Sequence, residues 1–414
     1  MTILARFIAA SGLANLADGV AVVAWAWVAS LLTRDALLIA LVPVALRLPW
    51  FLLALPAGVV TDRVDRRRLI LWMDALRGLA FAVAALALWL AMPLSPAPAT
   101  GLSAPGLFAL ICGAALIVGG AEVFRDNAAQ TMLPALVPHT ALERANGRLW
   151  SVELVANSLI GPAFGAFLIA FALPLPFALN AAAYGAAVLL VLGISGSFRP
   201  VQTAPRNWRA ELRQGLAFLR TAPLLRSLAW TTGAWNLLHQ MVLIALVLHA
   251  QENLGLGAQV YGLVLAGGAI GGILGSLMGE RIVRALGPAR TTQWMLATSA
   301  PAFALMALAP GALTLALVFA VFEFSGLTWN IVSVSTRQRM IPDALLGRVN
   351  SLYRLLAWGM MPVGLILSGL IVRLTEGPLP RDVALTLPFW AAALGAVALT
   401  AAAWRALGRG FADG

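Results

Sequence analysis

The chain has 414 residues, 61% of them hydrophobic and 11% charged. Soluble domains carry roughly 25% charged residues, so this chain has too little polar surface to be a soluble globule and reads as an integral membrane protein. Its formal net charge of +11 rests on 28 basic residues, all arginine, set in short segments between apolar runs; cytoplasmic loops are marked this way, which argues against nucleic acid as a partner.

A membrane-spanning helix needs about 20 apolar residues. On that measure the chain predicts twelve spans, at residues 7–32, 36–61, 69–92, 105–126, 146–172, 175–196, 225–250, 257–279, 291–309, 312–335, 348–372 and 384–405. With the N-terminus inside, 22 of the 28 arginines fall on the cytoplasmic side; Arg34, Arg373 and Arg381 fall outside, and Arg47, Arg77 and Arg354 lie within spans. Losing one span from the middle would scramble that bias. The first span is too long for a cleaved signal sequence and carries Asn15 and Asp18.

Intramembrane ionisable groups are costly and mark function by default. Asp18 lies ~10 residues into span one, hence ~15 Å deep, with Asn15 on the same face. Arg47 of span two falls at a similar depth, which predicts an Asp18–Arg47 pair. Such a pair is either a proton or substrate switch or a static packing contact. Residues 58–68, GVVTDRVDRRR, follow. Lipid does not tolerate that much charge, so the segment is a water-facing cytoplasmic turn. Asp62, Arg63, Arg66 and Arg67, after Gly58, read as a conformational latch between helices or as plain cytoplasmic anchoring. Glu280, Arg281 and Arg284 form a weaker copy in the second half.

Further along, Glu122 and Arg125 suggest a local gate at the inner end of span four. In span five Asn146, Trp150, Glu153 and Asn157 recur on one helix face. They form either a cavity wall, with Glu153 as a second titrating group, or interhelical hydrogen bonds. Gly161 and Pro162 weaken backbone bonding there and allow a bend. Residues 197–222 place Trp208, Leu212, Leu216 and Leu219 at helical spacing beside Arg206, Arg209, Arg213 and Arg220, the pattern of an interfacial helix. Span seven has Trp235, Asn236, His239 and Gln240, a binding surface unless His239 is a satisfied packing partner. Glycines 267, 268, 271, 272 and 275 of span eight permit close packing. Span ten carries Glu323 and Asn330 on one face, and Arg354 of span eleven either partners Glu323 or snorkels to the cytoplasm.

The two halves repeat each other. Gln130-Thr-Met-Leu-Pro134 is answered by Gln338-Arg-Met-Ile-Pro342, and Leu142-Glu-Arg144-Ala-Asn146 by Leu346-Gly-Arg348-Val-Asn350. Repeated helical halves are a transporter architecture. There is one cysteine, Cys112, and no lysine, so an intrachain disulfide and a Walker-type phosphate loop are both excluded. No catalytic or metal-binding constellation stands out, and an enzyme is not expected.

These residues also point to a family. Gly58-x-x-x-Asp62-Arg63-x-x-Arg66-Arg67 resembles the loop signature of the major facilitator superfamily, although Asp65 stands where that signature has glycine. Gly161-Pro162-Ala-Phe-Gly165 is similar to its antiporter motif, and the run from Arg125 to Pro134 with Glu143-Arg144-Ala-Asn146 resembles the bacterial branch of enterobactin-exporter-like and macrolide-efflux-like proteins. Span four lacks the mid-membrane arginine of many proton-linked relatives. The resemblance implies an all-α integral membrane fold, twelve transmembrane helices in two pseudo-symmetric six-helix bundles: residues 1–196, an amphipathic cytoplasmic linker at 197–222, and residues 223–414. It implies a monomeric secondary active transporter in the bacterial inner membrane, both termini cytoplasmic. Proton entry would drive efflux of a small amphipathic organic compound, drug-like or siderophore-like, bound near the midplane. No cofactor is expected beyond the gradient; sodium stays open, since Asp18 and Asn15 offer oxygen ligands. An importer or lipid flippase on the same fold, and a non-transporting scaffold or sensor, are the alternatives.

Overall fold

The computed structural model describes residues 2–61, 63–138, 142–199 and 208–412; within these, a few side chains, among them those of Asn146, Trp150, Asn350 and Arg354, are not described. The described elements are helical apart from one isolated bridge between Glu376 and Leu379. The chain forms two compact units, Met1–Pro205 with Ala258–Gly262, and Arg206–Gly257 with Leu263–Gly414.

The first unit opens with α1 (Ile3–Leu32), capped by Thr2, whose side chain accepts the Ala5 N–H at 3.2 Å. Then follow α2 (Ala36–Thr61), α3 (Arg66–Leu90), α4 (Pro105–Met132), α5 (Leu142–Glu153), α6 (Gly161–Phe171) and α7 (Leu175–Leu192). A wide π-type turn, Leu154–Ile160, joins α5 to α6. Helix α1 packs on α6 and α7, α3 on α4 and α7, and α2 on α4. Glycine sets the closest approach: a Cβ on Gly161 would lie 2.5 Å from the Gly19 Cα, and one on Gly165 2.5 Å from the Val20 carbonyl oxygen. These positions therefore let α6 seat directly on α1.

Helix α3 shows how charge and lipid are sorted. Trp72, Leu76, Leu79, Val83, Leu86 and Leu90 form an exposed apolar stripe, Trp72 being 72% exposed. On the opposite face Ile70, Asp74, Arg77, Phe81 and Leu88 are buried. The helix is amphipathic in reverse, its ionisable groups inside and its hydrocarbon out, as lipid requires.

The second unit holds α8 (Trp208–Thr221), α9 (Pro223–Leu248), α10 (Ala258–Ala297) from Leu263 onward, α11 (Ser299–Ala307), α12 (Ala312–Met340), α13 (Asp343–Trp358), α14 (Met361–Thr375), α15 (Arg381–Ala384) and α16 (Leu387–Ala412). Helix α9 packs on α13, α14 and α16. The α10–α12 crossing is glycine-limited; a Cβ on Gly271 would meet the Ala320 carbonyl oxygen at 1.9 Å.

Among the described residues, eleven helical segments are long and apolar enough to cross a membrane, and one of them, Ala258–Ala307, runs for 50 residues across the two spans expected at 257–279 and 291–309. Inside it Gly287 takes φ 78° and ψ 159°, a left-handed conformation that glycine alone adopts without strain, and Pro288 restarts the helix at once. Part of the expected linker forms α8, which falls in the second unit: Leu219 is buried with Leu225, Ile341 and Val349, while Leu216 is 37% exposed.

Candidate functional site

The Asp18 carboxylate on α1 is held from two sides. Arg77 Nη2 of α3 donates to its Oδ1, and Tyr184 Oη of α7 donates to the same oxygen at 2.7 Å. The Arg77 guanidinium lies 4.4 Å from the centre of the Tyr184 ring. Arg77 is fully buried, whereas 20% of the Asp18 side chain remains accessible. One buried guanidinium thus ties three helices through one partly accessible acid.

A second charge layer lies beside it. Asp74, one turn before Arg77, is fully buried, with Arg125 Nε of α4 3.5 Å from its Oδ1. Arg125 also donates to Ser11 Oγ at 3.1 Å and lies 3.6 Å from Asp126. Among the described residues, neither carboxylate oxygen of Asp74 has a hydrogen-bond partner, and neither do Nε and Nη1 of Arg77. Glu122 of α4 neighbours Asp18, Arg77 and Arg47. Buried charges of this kind are tolerated only as a balanced set.

The turn before α3 makes main-chain contacts. Asp65 caps α3 by accepting the Arg68 N–H at 3.1 Å, and also accepts from the Phe198 N–H at 2.9 Å and Ser197 Oγ at 3.2 Å. Partial burial pushes its carboxyl up, but these hydrogen bonds outweigh that and hold it below its ordinary value of 3.8. Arg66 donates to the Thr131 carbonyl at 3.0 Å; Arg67 donates to those of Val191 and Leu192 at 3.1 and 2.9 Å. Cations at the carbonyl ends of α4 and α7 are favourably placed.

In the second unit His239 Nε2 of α9 stands 3.3 Å from Glu323 Oε1 of α12. Trp235 lies against His239, ring centres 4.9 Å apart, and stacks on Phe322 at 5.2 Å. Nearby, the Tyr353 hydroxyl donates to the Leu228 carbonyl at 3.1 Å and lies 2.7 Å from Thr232 Oγ1 and 2.9 Å from Ser333 Oγ.

Residues 1–406 match the model of a family described as transmembrane secretion effector. The chain belongs to that family. It is a transporter family of the major facilitator type, and this chain is a multi-pass membrane protein rather than an enzyme. Among curated relatives it is similar to the multidrug efflux pump Tap of Mycobacterium tuberculosis, 27% identical over 383 residues, covering 89% of this chain and 85% of Tap. Among solved structures it resembles a bacterial homologue of the iron transporter ferroportin, in an inward-facing state, with a TM-score of 0.73 at 16% identity, covering 98% of each chain. The nucleoside transporter NupG aligns with a TM-score of 0.72 at 15% identity, over 98% of this chain and 99% of NupG.

For a secretion effector chain, the placement of the predicted residues sorts into groups. Asp18 does sit in a buried pair, but its partner is Arg77, not Arg47. Helix α7 bridges α1 and α3, bringing Tyr184 and Arg77 to Asp18, while Arg47 is a neighbour of Glu122. Asp74 and Tyr184 are not among the expected site residues, and Arg77 is expected only as an arginine within a span; an acid and an arginine three residues apart within one span are the available signal. His239 and Glu323 come together, as do Trp235 and Phe322. Asn15 donates to the Ser11 carbonyl of its own helix, and Asn236 to that of Ala357. Glu153 is half-buried at the α5 end, and the Asn157 backbone lies against Gly19. Asn330 is exposed. Gly161 bonds back five residues to the Ala156 carbonyl, so the irregular backbone is the π-type turn preceding Pro162. Arg63 is exposed, and Gly58 has open space around it. Asp62 and the Arg354 side chain lie outside the described residues. Glu280 and Arg284 do not copy the first-half turn: they pair on one helix at 3.6 Å, 80% and 70% exposed, and Arg281 is exposed beside them. The turn expected there comes later, at Gly287.

Proposed function

We propose that this chain is a proton-driven exporter of a small amphipathic organic compound, working by alternating access. Its likeness to the multidrug efflux pump Tap supports the direction. The observation that carries the coupling is the Asp18–Arg77–Tyr184 cluster beside Asp74, whose two carboxylate oxygens lack hydrogen-bond partners among the described residues. A proton arriving at Asp18 removes the charge that holds Arg77. The buried guanidinium then needs another acceptor, and Asp74 stands one turn away on the same helix. The exchange would release α1 from α3 and bias the unit toward a second arrangement. In the same reading, the break at Gly287 divides Ala258–Ala307 into two spans. That gives twelve spans in two bundles of six, a monomer in a bacterial inner membrane with both termini cytoplasmic.

The test is internal pH in proteoliposomes challenged with lipophilic cations, macrolides and siderophores, with wild type beside Asp18→Asn. Substrate-dependent proton movement lost in the variant supports the proposal. Proton movement that survives moves the role to Glu153 or Glu323. Substrate flux without proton movement discards proton coupling and points to sodium or facilitated passage. Uptake in cells against export in inverted vesicles would favour an importer or flippase. No flux for any compound would favour a scaffold or sensor.

A further inference from the structure

One cluster plays no part in the charge network of α1, α3, α4 and α7. On α12 the residues Leu313, Leu317 and Val321 form an exposed apolar stripe, the side suited to lipid. Glu323 lies two residues past Val321, about 200° around the helix at about 100° per residue, on the face turned from that stripe. Its oxygen meets His239 of α9 at 3.3 Å, with 19% of the Glu323 side chain and 16% of the His239 side chain accessible. Among the described residues, His239 Nε2 has no partner in hydrogen-bond geometry. Trp235 Nε1 donates to Ser299 Oγ at 2.9 Å, so the indole has only its apolar faces left to offer. Stacking on Phe322, which is 1% exposed, fixes the indole plane.

The contrast with Asp18 is the point. Asp18 is already neutralised by a buried guanidinium, whereas the charge partner of Glu323 among the described residues is an imidazole, which carries charge only when protonated. A carboxylate with a removable counter-charge, accessible and flanked by an aromatic face, attracts a cation and repels an anion. We propose that Trp235, His239 and Glu323 form a binding site for an amphipathic organic cation, its charge toward Glu323 and its apolar body on the Trp235 face. As the identity of the exported compound, this rests on the export reading; as a binding site, it is measurable without transport.

The experiment is equilibrium binding of tetraphenylphosphonium to the full-length chain in lipid nanodiscs, with triphenylphosphine oxide as an uncharged probe of similar shape. Glu323→Gln should weaken cation binding roughly tenfold or more, as expected for loss of a charge-assisted contact, and leave the uncharged probe within about twofold. Trp235→Leu should weaken both probes, and Trp235→Phe should largely restore them, which separates the site from misfolding. Unchanged cation binding in Glu323→Gln, or equal loss for both probes with Trp235→Phe no better than Trp235→Leu, overturns the site. Gradient-driven flux without Glu323-dependent binding sinks this inference and leaves export standing; Glu323-dependent binding without flux does the reverse.

Discussion

Asp18 was legible in the sequence because an acid inside an apolar run has few innocent explanations. Its partner was not, because partner choice depends on which helices are neighbours, and periodicity says nothing of that. Arg77 being fully buried, removing Asp18 takes away the carboxylate it donates to in a medium that cannot solvate the loss. Asp18→Ala should therefore destabilise the first unit by about 3–5 kcal/mol, read by tryptophan fluorescence during denaturant unfolding in detergent. The double variant Asp18→Leu with Arg77→Met should regain most of that loss, since an apolar pair of similar volume needs no compensation, while transport stays abolished. A double variant as unstable as the single would refute the pairing argument.

At the level of elements, the departure from the family signature turned out to be an anchor. Asp65 caps α3 and joins it to residues 197 and 198. Asp65→Ala should cost about 1 kcal/mol. Because its folded-state carboxyl is held below 3.8, Asp65 contributes stability above that pH, and the contribution fades as pH falls below it toward the folded value. Wild type and Asp65→Asn should thus converge in thermal midpoint as pH drops through that window, and stay apart near neutrality. Helix crossings give a second check. Gly271→Ala sets a methyl 1.9 Å from a main-chain oxygen, whereas Gly113→Ala meets nothing within 4 Å. The first should lower stability by about 1–3 kcal/mol; the second should be neutral or stabilising by up to about 1 kcal/mol. Equal midpoints for the two variants would contradict the close packing of α10 on α12. The glycine run was readable as packing, but its partner helix was not.

For the whole molecule, composition and arginine bias carry most of the architecture, since lipid restricts the chain to spanning helices and basic turns. What escaped was continuity: a glycine turn with no loop looks like an interruption in a hydropathy pattern and like one helix in hydrogen bonding. The 50 residues of Ala258–Ala307 would reach about 75 Å if straight, far beyond a ~30 Å hydrocarbon core. In a Cys112→Ala background, single cysteines at Arg68 and Leu286 should react with an impermeant maleimide only from the cytoplasmic side. Cysteines at Thr100 and Gly257 should react only from outside. Labelling of Leu286→Cys from outside would reject both the orientation and the division of that segment.

The turn before α3 leaves a different kind of trace. Arg66 and Arg67 grip the main-chain oxygens of Thr131, Val191 and Leu192, atoms that every residue type supplies. The receiving segments can therefore change their side chains across lineages without loosening the grip. Asp18 and Arg77 recognise each other through side chains, so a change at one calls for an answering change at the other. Diverging family members should show correlated substitutions at 18 and 77, and none between 66 or 67 and the ends of α4 and α7.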